Sequence, residues 1–179
     1  MTAPHTETLN LAKDPSHIGK GEYFIGERGD GVEMTAVGVT ACIGVCIDDG
    51  KKRMVMHLDP TFDMADVMGF IWDHFPNERT TRFFMRGSLM EQAIPKLTTF
   101  RNQLAYPYTI QYRYDNISAI PTRGMLDMKL SDGGKVSLRG AFSYYDQKFN
   151  MPDFEEVYDF NTPPWTFRDV GKRDRPLHM

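Results

Sequence analysis

Cysteine is scarce in this chain: two among 179 residues, Cys42 and Cys46. They stand four apart on one apolar run, roughly 13 Å along an extended backbone, which excludes both a mutual disulfide and a shared zinc ion. A reduced, cytoplasmic setting is therefore expected, with no metal and no cofactor. No stretch reaches the roughly 20 apolar residues of a membrane span, so no membrane insertion is expected. The start of the chain, from Met1 to Thr8, lacks the charged and apolar regions of a Sec signal, although a specialised secretion route would leave no such mark. An excess of one charge sign is also missing. With 21 Lys and Arg against 24 Asp and Glu, the net charge is -3 and the pI about 5.9, which offers no general grip on nucleic acid. What remains is an ordinary globular composition, 41% apolar and 25% charged, sufficient for one domain and expected to be monomeric.

The strongest local signal is Asp49-Gly50, set between the apolar runs Ala41 to Asp48 and Lys51 to Leu58. Asp-Gly between two such runs predicts a two-residue hairpin loop. In that register, facing residues have numbers summing to 99, and Cys42 lies opposite His57. A thiol and an imidazole so opposed are within reach of one hydrogen bond. A slip of a single residue would send them to opposite faces.

Residues 1–18 are polar and without period and are expected to form a flexible leader. Strands are expected at Glu22 to Ile25 and Val32 to Val37, then in the hairpin. Thr61 is a candidate cap for a helix whose apolar stripe is Phe62, Ala65, Met68, Ile71, Trp72 and Phe75, with His74 favoured near its C-terminus by the helix dipole. A strand at Thr80 to Met85 follows, then a second helix from Ser88, interrupted by Pro95, and a strand at Tyr108 to Tyr114. A second hairpin is expected from Met125 to Leu130 and Lys135 to Arg139, with Leu126, Met128 and Leu130 on one face. Residues 143–179, rich in proline and aromatics and ending in a basic run, read as an extension that wraps the surface and docks by Phe154, Tyr158, Phe160 and Trp165. The expected fold is mixed α/β of the α+β kind: one domain over 19–142, with mixed and antiparallel sheets packed as a sandwich and flanked by helices.

This order of elements, with the local text, resembles the chemoreceptor glutamine deamidase (CheD) family of bacterial chemotaxis over about residues 19–142. Gly21, Glu22 and Tyr23 are similar to that family's opening strand. The run Thr40 to Cys46 preserves the spacing of its two cysteines, the first being the nucleophile, and Val55 to Pro60 is similar to the run bearing its histidine. The resemblance implies Cys42 as nucleophile and His57 as base. The family's threonine, six residues before the cysteine, falls on Ala36; Thr35 is one step away, and Thr40 is the other candidate. The same Cys-His core occurs in bacterial toxin deamidases, so a chemoreceptor and a host protein reached by a secreted effector are both open as substrates.

Deamidation requires attack on an unreactive amide, stabilisation of an oxyanion and protonation of departing ammonia. Cys42 would attack as thiolate, and His57 would take its proton and later activate water against the thioester. Backbone N–H groups, or the hydroxyl of Thr35 or Thr40, would serve the oxyanion or the imidazole. Gly44 would let a substrate backbone approach closely. Cys46 reads as core. The expected partner is a protein carrying a reactive glutamine. Two other readings use the same residues: transglutamination, in which an amine resolves the thioester, and a catalytically silent binding module, for which the absent threonine argues.

Overall fold

A computed structural model describes residues 9–39, 42–59, 61–77, 80–87, 125–141, 154–161 and 167–170. Ten strands and one helix lie among them: β1 (Asn10–Leu11), β2 (Glu22–Glu27), β3 (Met34–Val39), β4 (Ile43–Asp48), β5 (Lys52–Leu58), α1 (Met64–His74), β6 (Arg82–Gly87), β7 (Met125–Leu130), β8 (Lys135–Ala141), β9 (Phe154–Asp159) and β10 (Phe167–Val170). They form two five-stranded sheets, ordered β1-β2-β5-β4-β6 and β10-β9-β8-β7-β3. The fold is mixed α/β and mostly sheet.

β4 is buried on both faces, which explains why Ile43 to Ile47 reads as a continuous apolar run. Ile43, Val45 and Ile47 point to one side with Met54, Met56 and Leu58 of β5, where Val67 and Ile71 of α1, and Phe75 at its C-cap, cover them. Cys42, Cys46, Val55 and Phe84 point to the other side, against Met34, Ala36, Met128 and Leu130 of the second sheet. The first sheet is thus the middle layer of three.

The central hairpin is displaced from the expected register. Gly44 faces His57 and Cys46 faces Val55, so facing numbers sum to 101. The loop is Gly50-Lys51, closed by Asp49 N–H donating to the Lys52 carbonyl at 3.1 Å. Asp48 accepts from Gly50 N–H at 2.8 Å, and Asp49 accepts from Lys51 and Lys52 N–H at 2.9 and 2.7 Å. Those side-chain bonds move the turn one residue onward. They leave Gly50 (φ 88°) at the first loop position, where a type II′ turn needs glycine.

Three other expectations change. Residues 9–18 are not all loose leader: β1 runs parallel to β2, and Ile18 bridges to Ala36 of β3, so this segment ties the first sheet to the second. Asp63, not Thr61, caps α1, accepting from Ala65 N–H at 2.8 Å, while Thr61 bonds Asp59 through N–H and Oγ1, each at 2.8 Å. The helix buries Val67 and Ile71, its C-cap Phe75 is buried beside them, and Ala65 and, at 41%, Trp72 are exposed. In the extension, β9 pairs with β8 and β10 with β9, so the segment continues the second sheet, with Tyr158 and Phe160 in the core. The expected helix from Ser88, the strand at Tyr108 to Tyr114 and Trp165 lie outside the described residues.

Replacing Ile71 by Ala should lower unfolding free energy by about 2–5 kcal/mol, the usual loss for a truncated core aliphatic. Ala65→Gln, on the exposed side, should change it by no more than about 0.5 kcal/mol. Urea melts of the two variants check the helix face directly.

Candidate active site

The site forms where the first residues of β4 and the last of β5 meet the second sheet. Cys42, Gly44 and Cys46 alternate along one face, and His57 lies on that same face, directly opposite Gly44. Cys42 is therefore diagonal to His57, not opposed to it. Ideal diagonal neighbours lie roughly 7–8 Å apart, against about 5 Å for an opposed pair. The two-residue displacement of register preserves the face and changes only the partner, because side chains alternate with a period of two.

His57 is 2% exposed and held from both sides by the segment that precedes β2. Its Nδ1 lies 3.1 Å from the Ile18 carbonyl oxygen, and its own carbonyl accepts from Gly21 N–H at 2.8 Å. A carbonyl only accepts, so Nδ1 carries the proton and Nε2 keeps the basic lone pair. Nε2 is buried, with no hydrogen-bond partner among the described residues. Burial pulls the imidazole below its ordinary pKa of 6.5; the Ile18 carbonyl and the Glu22 carboxylate oppose this, and the Lys20 ammonium adds to it. The neutral ring is thus the resting form at neutral pH.

Cys42 is buried with 7% exposure, and Cys46 has none; both are free thiols. Burial raises the Cys42 pKa, against which the Lys20 ammonium acts. Burial raises the Cys46 thiol much further, and the Asp48 carboxylate adds to the effect. Cys42 is the more ionisable of the two, and Cys46 is core, as its position in the sequence suggests.

The two threonine candidates separate. Thr35 is in β3, where Met34, Ala36 and Val39 face the core. Pairing is regular from Met34 to Ala36, and the bulge comes only between Ala36 and Val39. Thr35 therefore points away from Cys42 and His57, and Ala36 holds the inward position. Thr40 lies outside the described residues.

Gly44 does make a close approach, but to the protein itself. A Cβ built there would sit 3.0 Å from Met128 Cε and 3.1 Å from its sulfur. Met128 of the second sheet thus fills the space opposite His57. Ile18, Lys20 and Asp59 were missed from the sequence because their role depends on how 9–21 runs between the sheets. The alternation of Leu9 and Leu11 was the available signal of order there. Among the described residues no group of three or more His, Cys, Asp or Glu side chains is arranged to hold a metal ion, and no helix is long and apolar enough to cross a membrane. No family model and no curated protein sequence matches the chain.

The depressed His57 pKa has a consequence for stability. Between the folded value and 6.5, the unfolded chain binds a proton that the folded chain refuses, so stability is complete above about pH 6.5 and falls as pH drops below it. Melting temperature measured from pH 7.5 to 5 should fall less steeply in His57→Gln than in the wild type.

Proposed function

We propose that the chain is a cysteine-dependent protein-glutamine deamidase with Cys42 as nucleophile and His57 as base. One observation carries the reading: a buried imidazole, fixed through Nδ1–H, keeps a basic Nε2 that has no hydrogen-bond partner among the described residues on the face it shares with Cys42. A histidine serving only as core would be expected to satisfy both nitrogens. The choice of glutamine, rather than another acyl group, rests on the motif resemblance described above.

In the proposed cycle His57 Nε2 takes the Cys42 proton as sulfur attacks the glutamine side-chain carbon. The tetrahedral oxyanion collapses, the C–N bond breaks, and the imidazolium returns its proton to leaving ammonia. Water then attacks the thioester, giving its proton to Nε2. The C–S bond breaks, glutamate is released and the thiol is reprotonated. Diagonal spacing asks Cys42 and His57 to draw together when substrate binds, which is common for catalytic hydrogen bonds in free enzymes. An amine in place of water would give transglutamination by the same steps.

A second reading, the silent binding module, has its own support. Ala36 occupies the inward position where the family resemblance calls for a threonine, and Met128 fills the space above Gly44.

The test is to incubate the protein with bacterial chemoreceptor fragments and with a host-cell lysate, reading glutamine-to-glutamate conversion by peptide mass. Conversion should vanish in Cys42→Ala and fall about 10²–10⁴-fold in His57→Ala. Absence of conversion in both pools, with Cys42 as inert to alkylation as Cys46, would leave the binding module.

A further inference from the structure

The chain holds three Asp-Gly pairs, Asp30-Gly31, Asp49-Gly50 and Asp132-Gly133, and the fold treats them differently. Glycine after aspartate leaves the main chain open to isomerisation, because no side chain hinders closure of the carboxyl on the following nitrogen. Closure needs both of those groups at liberty. At Asp49 both are engaged: its carboxylate accepts from Lys51 and Lys52 N–H at 2.9 and 2.7 Å, and Gly50 N–H donates to Asp48 at 2.8 Å. At Asp30 the carboxylate accepts from Glu27 and Val32 N–H at 3.1 and 2.9 Å and from the buried Arg53 guanidinium. Asp132 lies in a turn of another kind. The loop Asp132-Gly133-Gly134 joins β7 to β8 and is closed by Ser131 N–H on the Lys135 carbonyl at 2.9 Å and by Gly134 N–H on the Ser131 carbonyl at 3.1 Å, with Gly134 at φ 81°. That bonding sets Asp132 and Gly133 at the two central positions, whose N–H groups the turn does not use. Gly133 is exposed, and among the described residues neither its N–H nor the Asp132 carboxylate has a hydrogen-bond partner.

We infer that Asp132-Gly133 is a modification site, where the main chain isomerises to isoaspartate, and that the hydrogen bonds at Asp49 and Asp30 hold those two pairs against the same reaction. The Gly133 nitrogen attacks Asp132 Cγ. An N–Cγ bond forms, and a carboxyl oxygen leaves as water with the carboxyl and amide protons. Solvent water then adds to the Asp132 main-chain carbonyl carbon of the succinimide, and the bond from that carbon to nitrogen breaks. The main chain now runs through Cβ and Cγ, one carbon longer, and the former main-chain carbonyl ends as a carboxylate. Water is lost and regained, so the reaction consumes no oxidant or other reagent. The same turn is where the second sheet holds the first. The Asp132 carbonyl accepts from Gly29 N–H at 3.0 Å, and the Gly133 carbonyl accepts from Arg28 Nη1 at 2.9 Å and from Asn161 Nδ2 at 2.7 Å. Arg28 in turn grips the Asp48 carboxylate through Nε and Nη2. None of the bonds at this turn touches the two reacting groups, yet lengthening the chain between them displaces the Gly133 carbonyl. Isomerisation here therefore loosens the anchor of the central hairpin.

The experiment ages the full-length protein at near-neutral pH and physiological temperature, then maps isoaspartate at each pair by peptide chromatography and by acceptance of a methyl group from S-adenosylmethionine through an isoaspartyl methyltransferase. A hydrogen bond to a charged group that must break before closure slows it by at least about tenfold, so Asp132 in the folded protein should convert at least about tenfold faster than Asp49 or Asp30. In concentrated urea, where those bonds are gone, the three pairs should convert at similar rates. Asp132→Glu, whose closure needs a six-membered ring, should stay unmodified at that position. The aged fraction carrying isoaspartate at position 132 should unfold at a lower urea concentration than the unmodified fraction. Conversion of Asp49 or Asp30 as fast as Asp132 in the folded protein overturns the inference, as does no conversion at Asp132 within the time that converts it fully in urea. An aged fraction that melts like the unmodified protein overturns the link from this turn to the hairpin anchor.

Discussion

Asp48 decides the register of the central hairpin, and most of the site follows from that register. Its carboxylate is fully buried, accepts from Gly50 N–H, and is gripped by Arg28 through Nε at 2.6 Å and Nη2 at 2.9 Å. A buried carboxylate with these charge-assisted bonds has little freedom to leave, since an unpaired charge in that place would cost several kcal/mol. Fixing Asp48 fixes the loop at Gly50-Lys51, which sets Gly44 across from His57 and Cys42 one diagonal away. The same end of the sandwich holds Arg53, also fully buried, whose guanidinium bonds the carbonyls of Glu27, Val32 and Leu130 and the carboxylate of Asp30. Since Leu130 belongs to the second sheet, this arginine ties the two sheets together at the turn end.

At the opposite end of the hairpin the tie is the segment before β2. Ile18 donates its N–H to the Thr35 carbonyl, and its own carbonyl accepts from Val37 N–H and from the His57 ring. One backbone residue thereby joins β3 to the imidazole. The tautomer of His57, and hence the location of its basic nitrogen, depends on this segment being in place. A truncation that removed residues 9–18 would therefore free the His57 ring as well as disturb packing.

The charge pattern at the site follows burial more than pairing. The imidazole and the thiol are both taken out of water, which disfavours both of their charged forms. A nearly dry pair of this kind is inert until something supplies charge or brings the partners closer. Lys20, at the rim, keeps its side chain 65% exposed while its ammonium pairs with the buried Asp59 carboxylate at 2.6 Å.

The sequence by itself determined the alternation of apolar residues on β4 and β5, the presence of Gly50 in a loop, the second hairpin, and the fact that Cys42 and His57 share a face. These are local properties, governed by a period of two and by turn chemistry. Tertiary structure decided the rest. Whether Asp49-Gly50 or Gly50-Lys51 forms the loop depends on Arg28, twenty residues away, holding Asp48. The cap of α1 went to Asp63 because Asp59 had already engaged Thr61. Thr35 and Ala36 differ by one position in sequence, and only the pairing of β3 with β7 settles which side chain faces inward. In segment 9–18 the alternation of Leu9 and Leu11 is the one local sign of order; its place comes from backbone hydrogen bonds to two sheets, and which strands it meets is a long-range choice that no local pattern records.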